Sequence, residues 1–327
     1  MSKLISLIIP LYNVEQYIEQ CLVSIIKQIN EQIEVIIVND GSQDNSLQIV
    51  EDTIKKINDT AIANNFRILH QSNQGQSVAR NNALTIAQGQ YIAFLDSDDL
   101  LADNYFQQLM PILQAHQPDI VRFKYSTFTD LTSDKAYFDI YMPQKNLTMI
   151  TDEILKGIFN DMKWFSFINV YKKELFIDEL FPKNVYFEDV ILMSKIFTKA
   201  KTIYFLNESL YLYRIHQNSS IRNSSIQNIR KLESSHRNLL NNLVERVKHE
   251  PIYSPIISAF SFSYIGLLLK QKKFKEAFLV HKDFLRYRVS LDPTYITEVK
   301  SKNYYEYGLS YVFLTIFKRL KKSMIKI

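Results

Sequence analysis

The sequence predicts an α/β fold, a mostly parallel sheet flanked by helices, with a helical extension at the C-terminal end. Over residues 1–110, apolar runs of strand length alternate with stretches in which apolar residues recur every three or four positions. Runs that are buried on both faces and separated by helices are typical of parallel sheets with right-handed crossovers. The chain has 327 residues, of which 46% are hydrophobic and 22% charged, so it can bury a sizeable core.

Four strands and the helices that follow them account for the N-terminal part. The predicted strands are residues 4–9, 33–38, 66–69 and 91–95. Asn13 can cap the helix after the first strand, and Asp99 or Asp103 can cap a helix over residues 105–115. Because parallel strands end at the same edge of a sheet, the polar residues after these strands should meet there, where open α/β sheets bind ligands.

An acidic cluster, Asp96-Ser97-Asp98-Asp99, follows the fourth predicted strand directly. Three carboxylates within four residues at the end of a buried strand repel one another, so the cluster predicts a divalent cation that carries a phosphorylated ligand. A solvated turn that caps the next helix is the alternative.

The turn after the first strand, residues 10–15, contains no glycine. Neither a dinucleotide-binding fingerprint nor a P-loop is therefore present, and a phosphate must be held by a metal and side chains instead. An aromatic Tyr12 beside a hydrogen-bond acceptor such as Asp40 suits a nucleotide base, which would stack on the ring and bond at its edge.

Four segments in this order and spacing resemble glycosyltransferase family 2, inverting enzymes of the GT-A fold, of the type that builds bacterial surface polysaccharides. They are SLIIPLYN (6–13), VNDGSQD (38–44), NQG with ARN (73–75 and 79–81) and FLDSDD (94–99). One departure is Asn39, where the family commonly has a second Asp; it leaves the base-reading position Asp40 intact.

The resemblance implies a binding site for a UDP-sugar and for Mn²⁺ or Mg²⁺. Asp96 and Asp98 would form the family's DXD pair, with Asp98 as the direct metal ligand and Asp96 nearer the ribose. Four further residues would hold the base, usually uracil, or lie near it: Pro10, Tyr12, Asp40 and Arg80.

A catalytic base is also needed, because an acceptor hydroxyl attacks the anomeric carbon while the nucleoside diphosphate leaves on the other face. The pair Glu188-Asp189 opens a predicted helix and resembles the family's Glu-Asp motif, whose Asp is the base. This assigns the proton transfer to Asp189, and Glu188 would orient the acceptor or a neighbouring group. Acidic residues are also favoured in the first turn of any helix, which is the alternative.

Residues 211–220 resemble the family segment beside the diphosphate. Arg214 could supply positive charge there, and His216 could donate to a phosphate or ligate the metal, although a single His is more often structural. The only tryptophan, Trp164, could stack on an acceptor sugar or belong to the core.

The predicted domains are a catalytic domain over residues 1–220 and a helical region over 221–327. The first would comprise a nucleotide-sugar half, 1–110, and an acceptor half, 111–220. One cysteine excludes an internal disulfide, and a strand that begins close to Met1 leads us to expect a cytoplasmic protein.

The net charge of +5 is concentrated at the end of the chain. Five cations within residues 318–326 follow the uncharged run 307–317, which predicts a basic amphipathic terminal helix. That helix would either lie on the inner face of the cell membrane or pack on the protein. An earlier run, 251–269, is uncharged and long enough to span a bilayer, but its two prolines and four serines favour a buried helix.

The sequence thus predicts a transferase that moves a hexose or N-acetylhexosamine from a UDP-sugar to a hydroxyl of a glycan or lipid-linked acceptor, in the synthesis of a lipopolysaccharide or capsule. The alternatives are a nucleotidyltransferase, which usually has a glycine-rich basic loop that this chain lacks, and an inactive glycan-assembly module. A nucleic-acid partner is not expected, since the basic residues are terminal and not spread over a surface.

Overall fold

The computed structural model describes residues 2–129, 132–143, 146–216, 225–308 and 312. The chain forms two compact units. The first comprises residues 1–150, 164–184 and 188–223, and the second 151–163, 185–187 and 224–327. The predicted terminal helix 307–327 lies outside the described residues except at 307, 308 and 312, and so does the segment 217–220.

Within the described residues, the first unit contains one mixed sheet. Its strands are β1 (Ile5–Leu11), β2 (Ile33–Asn39), β3 (Phe66–His70), β4 (Tyr91–Phe94), β5 (Leu100–Leu101), β6 (Ile120–Thr129), β7 (Thr132–Phe138), β8 (Leu147–Met149), β9 (Asn169–Lys172) and β10 (Thr202–Arg214). The strand order is β3-β2-β1-β4-β9-β6-β10-β5, with β7 paired to β6 and β8 paired to β10.

Helices flank the sheet and make up most of the second unit. Those of the first unit are α1 (Ile18–Ile26), α2 (Ser46–Lys55), α3 (Thr60–Ala63), α4 (Gln76–Ile86), α5 (Tyr105–His116) and α7 (Glu188–Lys199). Those of the second are α6 (Asp152–Asp161), α8 (Ile226–Val247), α9 (Ser254–Lys270), α10 (Phe274–Tyr287) and α11 (Val299–Tyr307).

The parallel half of the sheet confirms the four predicted strands. β1 pairs in parallel with β2 and β4, and β2 pairs in parallel with β3. Every residue of β1 and β2 is buried, as expected for strands covered on both faces. The strands therefore end together at one edge, which carries the turns after Leu11, Asn39 and Phe94.

Two predicted helix caps are wrong. α1 begins at Ile18 and not near Asn13, whose backbone has a φ of +50° and whose Oδ1 accepts a hydrogen bond from the Gln43 backbone N–H at 2.8 Å. α5 begins at Tyr105 without a side-chain cap. The carboxylate of Asp99 is used elsewhere, because it accepts hydrogen bonds from β10.

The other half of the sheet changes direction. β9 runs antiparallel to both β4 and β6, and β6 pairs in parallel with β10. This places Val170 opposite Ala93 and Val121, so a short strand far along the chain joins the two halves. All of these strand positions are buried, and the core of the first unit is continuous across the junction.

Of the described residues, one helical stretch is long and apolar enough to cross a membrane. It is Pro251–Lys270, with a mean hydropathy of 1.6, and 67% of its 18-residue apolar window is buried inside the protein. A core helix passes the same test of length and composition, so the stretch agrees with the predicted buried helix.

Candidate active site

Residues predicted to hold the nucleotide lie at the carboxyl edge of the parallel strands. Tyr12 follows β1 and is 44% exposed, so part of its side chain is open to a ligand. Pro10 is a buried residue of β1 and pairs with Val38 of β2, one residue before the end of the strand.

The carboxylate of Asp40 organises the loop that precedes α4. It is 3% exposed and accepts hydrogen bonds at Oδ1 from Gln71 Nε2 and the Gln74 backbone N–H, both at 2.7 Å. Its Oδ2 accepts one from the Gly75 backbone N–H at 2.8 Å. Gly75 has a φ of +87°, a conformation that favours glycine, and stands at the N-cap of α4. Asp40 therefore links the end of β2 to the start of the next helix.

The acidic turn after β4 is held by hydrogen bonds to its side chains and backbone. Asp96 Oδ1 accepts a hydrogen bond from Arg80 Nη2 at 2.7 Å. The hydroxyl of Tyr211 donates to Asp99 Oδ2 at 2.6 Å and accepts from the Asp96 backbone N–H at 3.2 Å. Asp99 Oδ1 also accepts from the Arg214 backbone N–H at 2.7 Å. Asp99 is 1% exposed, so it anchors the turn from inside.

Arg214 stands against this turn with its guanidinium fixed on several sides. Its Nε donates to the Asp98 carbonyl and its Nη2 to Gln20 Oε1, both at 2.7 Å. The guanidinium carbon lies 5.0 Å from the ring centre of Tyr17 and 4.6 Å from that of Phe128. Burial lowers the pKa of Arg214, and the nearby carboxylates oppose this. The structure thus puts a fixed cation beside the acidic turn.

Arg80 joins the acidic turn to the acidic pair at the start of α7. Besides its bond to Asp96, its Nη1 lies 3.6 Å from Glu188 Oε1 and 3.7 Å from Asp189 Oδ1. Gln76 Nε2 donates a hydrogen bond to the same oxygen of Glu188. Arg80 is 2% exposed; burial lowers its pKa, but the three carboxylates outweigh this and raise the pKa above its usual value. Two acidic motifs about ninety residues apart are therefore brought together in one unit.

The carboxyl of Asp189 has the proton affinity of a base that works near neutral pH. Burial raises its pKa to about 7, Arg80 opposes that rise, and Glu188 and Asp96 add to it. Its Oδ2 accepts a hydrogen bond from the Ser166 backbone N–H at 3.2 Å. A carboxylate with such a pKa can take a proton from a hydroxyl and release it again.

Within the described ranges, no three His, Cys, Asp or Glu side chains form a ready-made metal site. Asp98 and His216 do form a pair, with His216 Nε2 2.9 Å from Asp98 Oδ2, and Asp96 is turned towards Arg80. Burial and neighbouring carboxylates raise the pKa of both Asp98 and Asp99. Such crowded negative charge fits a cation that takes its other ligands from a diphosphate and water.

The burial of Trp164 agrees with one of its two predicted roles. Trp164 is 4% exposed and packs near Phe197, so it belongs to the core, whereas its neighbour Phe165 is 37% exposed. Tyr211 and Asp99 have structural roles in the turn that the sequence did not reveal. A cavity of about 610 Å³ adjoins the start of β4 and the end of β9, and none of the predicted site residues lines it.

Comparison with known proteins gives a consistent result. The family model described as "Glycosyl transferase family 2" matches residues 6–171. "Glycosyltransferase GlyG" of Streptococcus pneumoniae is 34% identical over 232 residues, which cover 68% of this chain and 74% of GlyG. Three further curated relatives are longer, and this chain spans between 31% and 63% of their length.

Solved structures extend the likeness over nearly the whole chain. S. aureus TarS 1–349 in complex with UDP-GlcNAc has a TM-score of 0.66 at 21% identity, over 94% of this chain and 88% of that one. The Pyrobaculum calidifontis mannosyltransferase PcManGT, in complex with GDP-Man and Mn²⁺, has a TM-score of 0.52 at 15% identity, over 98% and 88%. At these identities the likeness shows the fold alone, and it confirms the predicted GT-A fold.

Proposed function

The chain belongs to glycosyltransferase family 2, and from this membership we propose that it transfers a hexose or N-acetylhexosamine from a UDP-sugar, with inversion, to a hydroxyl of a glycan or lipid-linked acceptor. The product would be part of a bacterial surface polysaccharide. The enzyme would work in the cytoplasm, and the terminal segment 307–327 would give it a peripheral contact with the inner face of the membrane.

The donor would bind at the carboxyl edge of β1, β2 and β4. The half-exposed ring of Tyr12 offers a stacking surface for the base, and Asp40 offers a carboxylate oxygen. Arg214 would place positive charge near the diphosphate. Asp98 and His216 would hold Mn²⁺ or Mg²⁺, with Asp96 beside them, and a bound cation would offset negative charge on the leaving diphosphate. The UDP-GlcNAc bound by TarS supports this class of donor.

Asp189 would act as the base. As the acceptor oxygen forms its bond to the anomeric carbon, its proton passes to a carboxylate oxygen of Asp189. The bond between the anomeric carbon and the diphosphate oxygen breaks, and its electron pair leaves with UDP. Glu188 would keep the pKa of Asp189 high enough to hold the proton, and Arg80 would keep it low enough for the carboxylate to exist at neutral pH.

One observation carries the proposal: Arg80 contacts carboxylates of both acidic motifs. An acidic turn or a helix-opening acidic pair alone has an ordinary structural explanation. A buried arginine that holds the two motifs together fits a shared donor and acceptor site, because the leaving group and the attacking hydroxyl meet at one carbon.

A panel of nucleotide sugars, scored by release of nucleoside diphosphate, tests the proposal. We expect turnover with one or more UDP-sugars and a loss of at least ~10²-fold in Asp189→Asn, with UDP affinity little changed. The matched control is Asp52→Asn, since Asp52 is an exposed acid in α2. Full turnover in Asp189→Asn would remove Asp189 from the role, and loss of UDP binding would place it in the donor site.

A further inference from the structure

α10 exposes a row of large apolar side chains beside its core contacts. Phe274, Phe278 and Leu285 are 60%, 59% and 46% exposed, whereas Ala277 and Phe284, about a quarter of a turn round the helix, are each 1% exposed. A surface helix normally presents polar residues to water. Leu279 and Val289 are also exposed, so one short stretch carries five exposed large apolar side chains. Exposed patches of this kind mark interaction sites.

Cations accompany this apolar row. At about 3.6 residues per turn, Phe274, Phe278 and Leu285 lie along one line of the helix, and Lys275, Lys282 and Arg286 lie along the next. We call these two lines together the outer face of α10. All three cations are exposed, and among the described residues neither Lys275 nor Lys282 forms an ion pair.

The acidic residues of the helix do not cancel these charges. Asp283 pairs with Arg286 at 3.3 Å, and Glu276 lies beyond the cations, away from the apolar line. The outer face of α10 therefore combines aromatic and aliphatic side chains with at least two free positive charges.

We propose that the outer face of α10 docks on an anionic lipid bilayer. Aromatic and leucine side chains beside lysines are the composition of helices that lie in the membrane interface, where the rings enter the headgroup region and the cations meet phosphates. A second copy of the chain fits less well, because a two-fold contact through this face would bring its own cations together.

This contact is separate from the transfer reaction. It uses none of the residues of the candidate active site, so variants of α10 should release UDP from the donor at the normal rate without vesicles. Failure of the docking and failure of the proposed function are therefore separate outcomes.

Flotation of the full-length protein with vesicles tests the proposal. The vesicles are phosphatidylcholine with phosphatidylglycerol, or phosphatidylcholine alone. We expect binding to the anionic vesicles to weaken about fivefold for each cation removed in Lys275→Gln and Lys282→Gln. We expect a loss of at least about tenfold in the double variant Phe278→Ser with Leu285→Ser. The matched control, Ile177→Ser with Leu180→Ser, removes two exposed apolar residues of the first unit and should bind normally.

A second measurement reports insertion directly. Phe278→Trp adds an exposed tryptophan to a chain whose only other one, Trp164, is 4% exposed. Brominated lipids should quench the new fluorescence and leave that of the wild-type protein unchanged.

Three results would overturn the proposal. One is anionic-vesicle binding that is absent in the wild-type protein or unchanged in the α10 variants. Another is a tryptophan at position 278 that brominated lipid does not quench. The third is self-association of the wild-type protein that the Phe278→Ser and Leu285→Ser variant abolishes, since a second copy would then be the partner of this face.

Discussion

Replacement of Glu188 by Gln should move the pH dependence of transfer towards lower pH. Glu188 is one of the carboxylates that raise the pKa of Asp189 to about 7, so the ascending limb of kcat/KM in the wild-type enzyme should lie near pH 7. Glutamine keeps the shape of the side chain and an oxygen for Gln76 Nε2, but it removes the charge. Without that charge the carboxylate of Asp189 is easier to form, its pKa falls, and the enzyme stays active at lower pH.

The size of the effect follows from the geometry around Arg80. Glu188 Oε1 and Asp189 Oδ1 lie 3.6 and 3.7 Å from the same Nη1 atom, so the two oxygens are no more than about 7 Å apart. Two charges at that distance repel by about 2 kcal/mol at an effective dielectric constant of about 20. Partial exposure and salt reduce this, so we expect the limb to move down by about one pH unit.

The assay measures UDP release in the presence of donor and acceptor between about pH 5.5 and 8.5. The quantity compared between wild type and variant is the pH at which kcat/KM reaches half its maximum, and not the maximum itself. Arg80→Gln provides a control of opposite sign, because loss of a cation raises the pKa of Asp189 and moves the limb up. A limb that stays in place in Glu188→Gln, or that moves in the same direction in both variants, would refute this account of the base.

Three further predictions concern the rest of the chain. Asp98→Ala should abolish the Mn²⁺-dependent part of UDP binding and leave the fold intact. Titration calorimetry with and without EDTA measures this, and equal UDP binding by the variant and the wild-type protein would contradict it. Tyr211→Phe should lower the free energy of unfolding by about 1 to 3 kcal/mol, because buried Asp99 loses a hydrogen bond; a denaturant midpoint equal to the wild type would argue against this anchor. A chain that ends after the buried Val312 lacks all five terminal cations and should bind anionic vesicles less well at low salt. Equal binding by the shortened and the full-length chain would mean that the terminal segment packs on the protein.

Local sequence patterns were enough to predict the parallel half of the sheet. Each of its strands is a mostly apolar run, and each is followed along the chain by a helix. The approach of Asp40 and Asp96 to one edge therefore follows from the topology. The helix that opens at Glu188 was predicted in the same way.

The antiparallel half depends on contacts that leave little trace in the sequence. β9 has four residues, and what makes it a strand is the pairing of Val170 with partners on both sides. The links made by Arg80 and Tyr211 were missed for a related reason. A buried polar side chain is placed by its partners in space, and sequence spacing does not give those partners.

The hydrogen bonds of Asp40 carry a consequence for the choice of nucleotide. A carboxylate has about four acceptor positions, and the three donors from the loop before α4 leave one of them, on Oδ2. One remaining position suits a base that presents a single ring N–H between two carbonyls, as uracil does. Guanine presents two adjacent N–H groups, and one of them would stay unpaired in a buried place, which costs about 1 to 3 kcal/mol. We therefore expect UDP to compete with the donor at least about tenfold better than GDP, and equal competition would mean that the base is read elsewhere.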